Sequence, residues 1–237
     1  WYHRPMGGKE IKSSLDGMYQ LLSEAYKGNW QYRWQDTPYL EEAVKSGKVE
    51  SVVGHVWGTM EFWFQLRRLC PKLDSLVDTT EVYEILLNHD LGETNAGDIP
   101  LYRKVHGAKD NKEGERSDLE QISGNLPETQ QELLTWFDEF EQEVEKIDRL
   151  EVLVAKWMDN LQGNHFALTF GRNLPEYSEP INGILQMRFV AYTNRLLGVL
   201  EGRNEAEAVN EVRQVAQHHA DIIKATGIDF DTSNLRI

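Results

Sequence analysis

The stretch EILLNHDLGETNAGDIP, residues 84–100, decides how this sequence is interpreted. It opens as an apolar run in which Ile85, Leu86 and His89 share the 3–4 spacing of one helix face. That spacing predicts a helix over 79–91 whose buried stripe continues to the imidazole of His89. The side chains close to this imidazole therefore determine whether the end of the helix has a functional role.

Three carboxylates follow His89 within the reach of one loop: Asp90, Glu93 and Asp98. Glu93 lies four residues after His89, so a helical turn at this point would bring their side chains together. A helix C-terminus disfavours a nearby carboxylate by up to ~1 kcal/mol, so three of them need compensation. The stretch is either a solvated helix end or half of a metal site in which a divalent cation supplies that compensation.

Composition limits the classes of partner. Lys and Arg together number 25 against 39 Asp and Glu, a net charge of −14. This excess opposes binding to a nucleic-acid polymer or to an anionic membrane, since both require clustered positive charge. The one cysteine, Cys70, cannot form an intrachain disulfide, which fits a reducing compartment. No run approaches the 18 apolar residues of a membrane span, and we expect a soluble, cytoplasmic protein.

Apolar residues recur at helical spacing along almost the whole chain, and strand-like alternation is scarce. This predicts an all-α fold, a globular helical bundle rather than a coiled coil. The predicted helices cover residues 9–26, 37–46, 50–69, 79–91, 128–146, 147–162, 178–201 and 204–225. The polar, glycine-punctuated segment 107–118 is interpreted as a mobile surface loop. The acids of segment 127–151 are interpreted as a solvated helix face.

The helix over 50–69 is apolar around most of its circumference, with only a narrow polar wedge that includes Gly54 and Gly58. A helix of this kind is expected in the centre of its domain. His55 lies inside the apolar arc, on the side of Phe62 and Leu66. By itself His55 is either a core histidine bonded to the backbone or a ligand.

Asp159 presents a similar choice. A regular apolar stripe runs from Ile147 to Leu161, and Asp159 lies nearly opposite its centre, where an amphipathic helix would meet solvent. Val152 and Ala155 flank Asp159 on its own face and form a second, narrower apolar strip. This second strip predicts a helix that is buried on two sides, so both interpretations of Asp159 stay open.

Four sequence features together resemble the HD-domain metal-dependent phosphohydrolases, most closely the 5'-deoxynucleotidase branch. They are GH at 54–55, NHDLGE at 88–93, GDI at 97–99, and VLVAKWMDNLQG at 152–163. The resemblance covers roughly residues 50–165. It implies a single all-helical HD-type domain over 1–237, with the metal-site core at about 50–165 and a C-terminal helical extension at 175–237.

The resemblance also implies roles for individual residues. The metal ligands would be His55, His89, Asp90 and Asp159. Glu93 and Asp98 would be catalytic, and the substrate would be contacted by Arg33, Trp34 and Lys156. For Lys156 the residue pattern alone also allows a surface lysine that extends its amine into solvent.

The chemistry of this ligand set agrees with the implied metal. Two neutral imidazoles and two carboxylates suit one divalent ion, Mn, Co, Ni or Fe, and suit Mg less well. Two-metal members of the superfamily that this sequence resembles have further histidines, and His106, His165, His218 and His219 do not fall at matching places, which implies one ion. Glu93 and Asp98 could then transfer protons to and from the reacting groups, in an order that the sequence leaves open.

The resulting hypothesis is metal-dependent hydrolysis of a nucleotide phosphate ester, with a (deoxy)nucleoside 5'-monophosphate as substrate. The resemblance further implies a homodimer. One alternative is a (deoxy)nucleoside triphosphate phosphohydrolase, for which Arg188 and Arg195, seven residues apart on one helix face, could supply positive charge. The other alternative is a non-catalytic helical interaction protein in which the same residues are structural.

Overall fold

A computed structural model describes residues 8–237, with side chains from Ser13 onward, and it confirms the all-α prediction. Within that range, extended pairing is limited to an isolated bridge between Tyr32 and Ser51. The α-helices, in chain order, are α1 (Gly8–Ala25), α2 (Glu41–Lys45), α3 (Val52–Leu69), α4 (Pro71–Asp74), α5 (Thr79–Asn88), α6 (Glu93–Ala96), α7 (Leu101–Val105), α8 (Lys112–Ser123), α9 (Pro127–Phe140), α10 (Leu150–Phe170), α11 (Ser178–Leu185), α12 (Ala191–Gly202) and α13 (Ala206–Ala225).

Helix α10 is the centre of the fold. It packs against α3, α5, α9 and α12, and its residues 152–158 are all buried. Trp157 has no exposed surface, and its indole N–H donates to the Thr193 hydroxyl on α12 at 3.0 Å. Burying a large apolar side chain of this kind stabilises the fold by roughly 1.5–3 kcal/mol. The helix that carries Asp159 is therefore held rigidly from several sides.

Helix α5 begins where its sequence predicts. The Asp78 carboxylate accepts from the backbone N–H groups of Thr80 and Glu81, which caps the N-terminus. The helix ends at Asn88, three residues earlier than predicted, and a tight turn leads into α6. Gly97 follows α6 with a φ of 79°, a left-handed conformation that glycine adopts at no steric cost.

Residues 50–69 are predicted to form a helix that is buried on nearly all sides. This prediction is wrong for one side of the helix. Helix α3 buries His55 and Trp63 against α5 and α10. Its opposite side exposes Val53, Trp57 and Phe64, and Trp57 is 67% exposed. These three residues, spaced four and seven apart, form an exposed apolar stripe. Apolar composition around a helix is thus not enough to bury it, because burial requires a neighbour on every side.

The interpretation of 107–118 as a mobile loop is also wrong, because residues 112–123 form α8. Leu119 and Ile122 of α8 pack with Leu133 and Phe137 of α9 in a second apolar cluster. That burial overrides the low helix propensity of the charged, glycine-containing sequence. The predicted helix 128–146 ends at Phe140, and residues 144–146 form a separate 3-10 turn.

The predicted helix 178–201 is one rod with an irregular middle. Helices α11 and α12 are joined by a π-helical turn at Gln186–Val190. Within residues 8–237, no helix is both long enough and apolar enough to cross a membrane.

Candidate metal centre

Three helices bring the predicted ligands together. His55 lies in the first turn of α3, where the Ser51 side chain caps the helix by accepting from the Gly54 N–H. His89 directly follows the last residue of α5, and Asp159 lies in the middle of α10. Since α3, α5 and α10 pack against one another, the three side chains meet at a common point.

The ligating atoms converge closely. The Nε2 atoms of His55 and His89 are 3.3 Å apart. His55 Nε2 is 3.0 Å from an Asp159 oxygen and 3.5 Å from an Asp90 oxygen. The other Asp90 oxygen is 3.3 Å from His89 Nε2. Ligand atoms of His55, His89 and Asp159 all lie within 4.8 Å of one another.

The hydrogen bonds on the far side of each ring fix its tautomer. His89 Nδ1 donates to the Leu86 carbonyl at 2.8 Å, and His55 Nδ1 donates to Gln162 Oε1 at 2.5 Å. The Gln162 amide is itself oriented, because its Nε2 donates to a Glu50 carboxylate oxygen at 2.7 Å. In the neutral rings both Nε2 atoms therefore carry a lone pair that points at the other ring.

This donor set fits a divalent metal ion. Two facing lone pairs and two carboxylates at 3.0–3.5 Å repel one another unless a cation lies between them. Neutral imidazole and carboxylate ligands, each imidazole held by an outer hydrogen bond, are the usual combination for transition metals. His55, His89, Asp90 and Asp159 are the residues that could hold such an ion.

The sequence did not identify the residue that orients His55. Gln162 lies three residues after Asp159, one turn along the same face of α10, and this spacing was the available signal. Gly58 on α3 makes room for it, since a Cβ at residue 58 would lie 2.7 Å from Gln162 Nε2. The position of the Gln162 side chain beside His55 therefore depends on the space that this glycine leaves.

Arg33 and Trp34 reach the site although 22 residues separate Arg33 from His55 in the sequence. The bridge between Tyr32 and Ser51 returns the chain to the start of α3, and the Arg33 N–H donates to the Glu50 carbonyl at 2.9 Å. The Arg33 guanidinium lies 3.4 Å from an Asp90 oxygen. Burial would lower the pKa of Arg33, but the surrounding carboxylates, Asp90 first, raise it, so Arg33 stays charged.

Trp34 has a φ of 66°, a left-handed conformation that is uncommon for a bulky residue. Its indole N–H donates to a Glu50 oxygen at 2.8 Å, and its ring stacks on Phe166. Glu50 thus accepts from both Trp34 and Gln162, which ties the pocket wall to the support of His55. Strained residues of this kind are common where a side chain must be aimed at a site.

Glu93 and Asp98 line the same pocket as the predicted ligands His89, Asp90 and Asp159. Burial, followed by the nearby carboxylate of Asp90, raises the pKa of Glu93 well above its usual range. Burial also raises the pKa of Asp98, although Arg33 opposes the shift. One Glu93 oxygen, Oε2, is enclosed with no hydrogen-bond partner among the described residues. Both carboxyl groups are therefore suited to exchanging protons with a bound ligand.

The sequence profile of the HD domain matches residues 42–177, which is more than half of the chain. This chain belongs to the HD-domain family. The resemblance inferred from the four sequence features together is confirmed at the level of the HD-domain family, and the 5'-deoxynucleotidase branch stays a prediction.

A solved structure supports the same fold. The crystal structure of a predicted metal-dependent phosphohydrolase from Magnetospirillum magnetotacticum MS-1 superposes with a TM-score of 0.58. It is 22% identical in sequence, and the match covers 88% of this chain and 97% of the Magnetospirillum chain. No curated protein matches the sequence significantly.

The pocket of this HD domain is lined by three of the four predicted ligands, His89, Asp90 and Asp159. Eight of the nine residues singled out from sequence line it, and His55 lies behind them with no exposed surface. The charged lining consists of six carboxylates, Asp90, Glu93, Asp98, Glu115, Glu141 and Asp159, and four cations, Arg33, Lys104, Lys156 and Arg188. Its apolar walls come from Tyr39, Leu168, Leu174, Ile181, Ile184 and Leu185, among others.

Lys156 is 4% exposed, which contradicts the surface-lysine interpretation. Its amine lies 3.0 Å from a Glu141 oxygen and 3.6 Å from the centre of the Phe140 ring. Burial opposes ionisation of Glu141, but Lys156 and Lys112 hold the pKa of Glu141 at about 2. Glu141 is thus an exception to the solvated acidic face predicted for 127–151.

The sequence pattern does not single out Glu115, because the polar, glycine-punctuated segment 107–118 is typical of a surface loop. Glu115 on α8 is 7% exposed and lines the pocket. Burial raises the pKa of Glu115 to about 7, against the lowering effect of Lys104. Gly92 allows this placement, since a Cβ there would lie 2.4 Å from the Glu115 backbone oxygen.

Proposed function

We propose that this HD-domain protein is a metal-dependent phosphohydrolase. The strongest support for this proposal is that the Nε2 atoms of His55 and His89 meet Asp90 and Asp159 beside a pocket. The same pocket is lined by Arg33. A solved structure of similar fold carries the name of a predicted metal-dependent phosphohydrolase, which agrees with this proposal.

The substrate that we propose is a (deoxy)nucleoside 5'-monophosphate. The pocket lining has more acidic than basic side chains, six against four, and a divalent ion would offset this excess. A single phosphate group is therefore accommodated more readily than three, which argues against the triphosphate alternative. The apolar and aromatic walls beyond the charged end offer a surface for a sugar and a base.

In this proposal the chain's own residues bind the phosphate and move protons. The Arg33 guanidinium exchanges its contact with Asp90 for the phosphate oxygens, which it can hold with two parallel N–H groups. One of Glu93 and Asp98 accepts a proton from the attacking water, and the other donates a proton to the leaving 5'-alkoxide. A divalent ion supplies Lewis acidity toward the phosphate and lowers the pKa of water in the site.

Trp34 and Lys156 complete the proposed substrate contacts. The Trp34 ring is fixed by Phe166 and Glu50 and forms one wall of the pocket, where a sugar would lie. Lys156 faces the same pocket from α10 and forms an ion pair with Glu141. Arg195 takes no part, because it binds Asp148 and the Ile147 carbonyl.

The test is a product assay on metal-stripped protein, with and without added Mn²⁺ or Co²⁺. Nucleoside mono-, di- and triphosphates are supplied and the products are separated by chromatography. The proposal predicts metal-dependent release of phosphate and nucleoside from monophosphates. Pyrophosphate release or activity confined to triphosphates would support the alternative enzyme, and absence of both bound metal and activity would support a non-catalytic protein.

Two variants separate chemistry from metal binding. Asp98→Asn is expected to abolish hydrolysis and to retain the ion, because Asp98 is placed outside the ligand set. Asp159→Asn is expected to lose both, since it removes a proposed ligand. Equal metal loss in the two variants would contradict the division of roles.

We also propose that the protein forms a homodimer through the exposed apolar stripe of α3. Val53, Trp57 and Phe64 lie on one helix face and are accessible in the single chain. Contiguous exposed apolar side chains usually mark an interaction surface. Light scattering should give the mass of two chains for the wild type and of one chain for Trp57→Glu. A monomeric wild type would exclude this interface.

A further inference from the structure

Arg188 occupies an irregular position in the rod formed by α11 and α12. It lies within the π-helical turn Gln186–Val190, and its half-buried side chain lines the pocket. Single π-helical turns inside α-helices are rare, and they occur frequently at functional sites because they shift a side chain away from the regular register. The turn thus indicates a role for a residue that it carries.

The other cations of the pocket are engaged. Arg33 lies 3.4 Å from Asp90, Lys104 lies 2.8 Å from Asp110, and Lys156 lies 3.0 Å from Glu141. Arg188 makes no ion pair and no side-chain hydrogen bond with any residue of the described range 8–237. The Arg188 side chain is half-buried, and its guanidinium nitrogens are not among the fully enclosed atoms of the described residues. Its N–H groups are therefore available to a ligand in the pocket.

The wall that precedes Arg188 is apolar. Ile181, Ile184 and Leu185 lie seven, four and three residues before it and line the same pocket. Leu168 and Leu174 add further apolar surface to the lining. A ligand that extends from the metal-ligating end to Arg188 must therefore present a body that tolerates apolar contact and an end that accepts hydrogen bonds. A nucleobase has both properties.

We infer that Arg188 is a specificity-determining residue that recognises the acceptor edge of a guanine base. This inference rests on the proposed nucleotidase function. A guanidinium presents two parallel N–H donors, which match the O6 and N7 acceptors of guanine. Adenine offers an amino donor in place of O6, so the same fork meets a donor at one of its two positions.

A second phosphate is a poorer partner for Arg188 than a base edge. Six carboxylates line the pocket, and each cation other than Arg188 already faces an acid. A polyphosphate tail would add negative charge to this lining and would lie against apolar side chains. The uncharged edge of a base avoids both penalties.

The test compares kcat/KM for guanine and adenine (deoxy)nucleoside 5'-monophosphates in the wild type, Arg188→Ala and Arg188→Lys. The wild type should prefer guanine. Arg188→Ala should lower the guanine-to-adenine ratio roughly ten- to hundredfold, the range measured for a lost bidentate contact. Arg188→Lys should recover little of the ratio, because an ammonium lacks the planar fork. Arg203→Ala, an exposed arginine outside the pocket, is the matched control.

Calorimetric binding of GMP and AMP to the metal-free protein gives a second readout that is independent of turnover. It should show the same preference and the same loss in Arg188→Ala. A wild type that hydrolyses monophosphates without a guanine preference would overturn the inference and leave the proposed function intact. An equal loss for both bases in Arg188→Ala would also overturn it. A wild type that hydrolyses none of the nucleotides would overturn both the proposed nucleotidase function and the inference about Arg188.

Discussion

Two buried histidine environments in this molecule differ in what surrounds the ring. His55 and His89 meet Asp90 and Asp159 at 3.0–3.5 Å, and their Nε2 atoms face each other. His219 on α13 is equally enclosed, but it packs edge-on against Phe189 at 4.9 Å between ring centres. Its Nε2 has no hydrogen-bond partner among the described residues.

The comparison separates the effect of burial from the effect of charge. Burial lowers the pKa of His219 to about 3, so this ring stays neutral in the core. Burial acts in the same direction on His89, but the carboxylates of Asp90 and Asp159, with the hydrogen bonds to Asp90 and to the Leu86 carbonyl, together outweigh it and raise the pKa of His89. A buried histidine is thus ordinary by itself, and the converging carboxylates are what make the first environment a cation site.

The largest effect is expected from removing a carboxylate of the first environment. Asp159→Asn should lower metal affinity and the rate of phosphate release by more than roughly a hundredfold. Losing a residue that only hydrogen-bonds a metal ligand typically costs roughly 10- to 100-fold. The cause is the loss of a charged ligand that lies 3.0 Å from His55 Nε2. Metal content by elemental analysis and the rate of phosphate release measure it. Retention of a full metal complement would contradict the ligand assignment.

A smaller loss is expected when only the support of His55 is removed. Gln162→Ala leaves the Nδ1–H of His55 without its acceptor and should weaken metal binding roughly 10- to 100-fold. Competition with a chelator measures the change. Gln65→Ala, an exposed glutamine on α3, is the control and should have no effect. If the two variants behave alike, Gln162 does not orient the ligand.

The burial of His219 predicts that the free energy of unfolding falls as the pH is lowered. Folded His219 stays neutral to about pH 3, whereas the unfolded side chain takes up a proton below about pH 6.5. The unfolded state therefore binds more protons as pH falls, and stability is lost. Between pH 7 and 5 this costs about 2 kcal/mol, which His219→Leu should abolish in urea titrations.

The neighbouring residue gives the control for that experiment. His218 is exposed, so His218→Leu should keep the pH dependence of the wild type. Metal content should be unchanged in both variants, because neither histidine belongs to the first environment. An unaltered pH dependence in His219→Leu would show that the ring can be protonated in the folded state.

The smallest effect concerns Glu115, whose folded pKa is raised to about 7 by burial. Here the folded state binds the extra proton between pH 4.5 and 7, so stability falls as pH rises through that window. Glu115→Gln should be more stable than the wild type at pH 8 by about 1 kcal/mol, and equal to it at pH 4. The exposed Glu113→Gln should show no such difference, and a pH-independent effect would contradict the shift.

Local pattern was enough to predict much of the fold. Helix α5 has its Asp78 cap and its apolar stripe in the sequence, and α10 has apolar residues on two faces. The HD pair with Glu93 and Asp98 is likewise a local signal, and the structure brings these residues to one pocket. Their catalytic and ligating roles stay predictions that the experiments above address.

What could not be predicted depends on contacts between distant segments. The exposure of Trp57 follows from the lack of a neighbouring helix on that side among residues 8–237, which the composition of α3 does not reveal. Glu115 is buried where α8 packs against α6 and the turn at Gly92, although its own segment is charged and contains glycine. Gln162 becomes the support of His55 only when α3 and α10 meet at Gly58.

The central claim is that His55, His89, Asp90 and Asp159 form one metal site. Equilibrium dialysis of the metal-stripped chain against Mn²⁺, beside Asp159→Asn, tests it most directly. We expect one tightly bound ion per wild-type chain and none in the variant at the same concentration. Wild-type protein that binds no ion, or a variant that binds as tightly as the wild type, would contradict it.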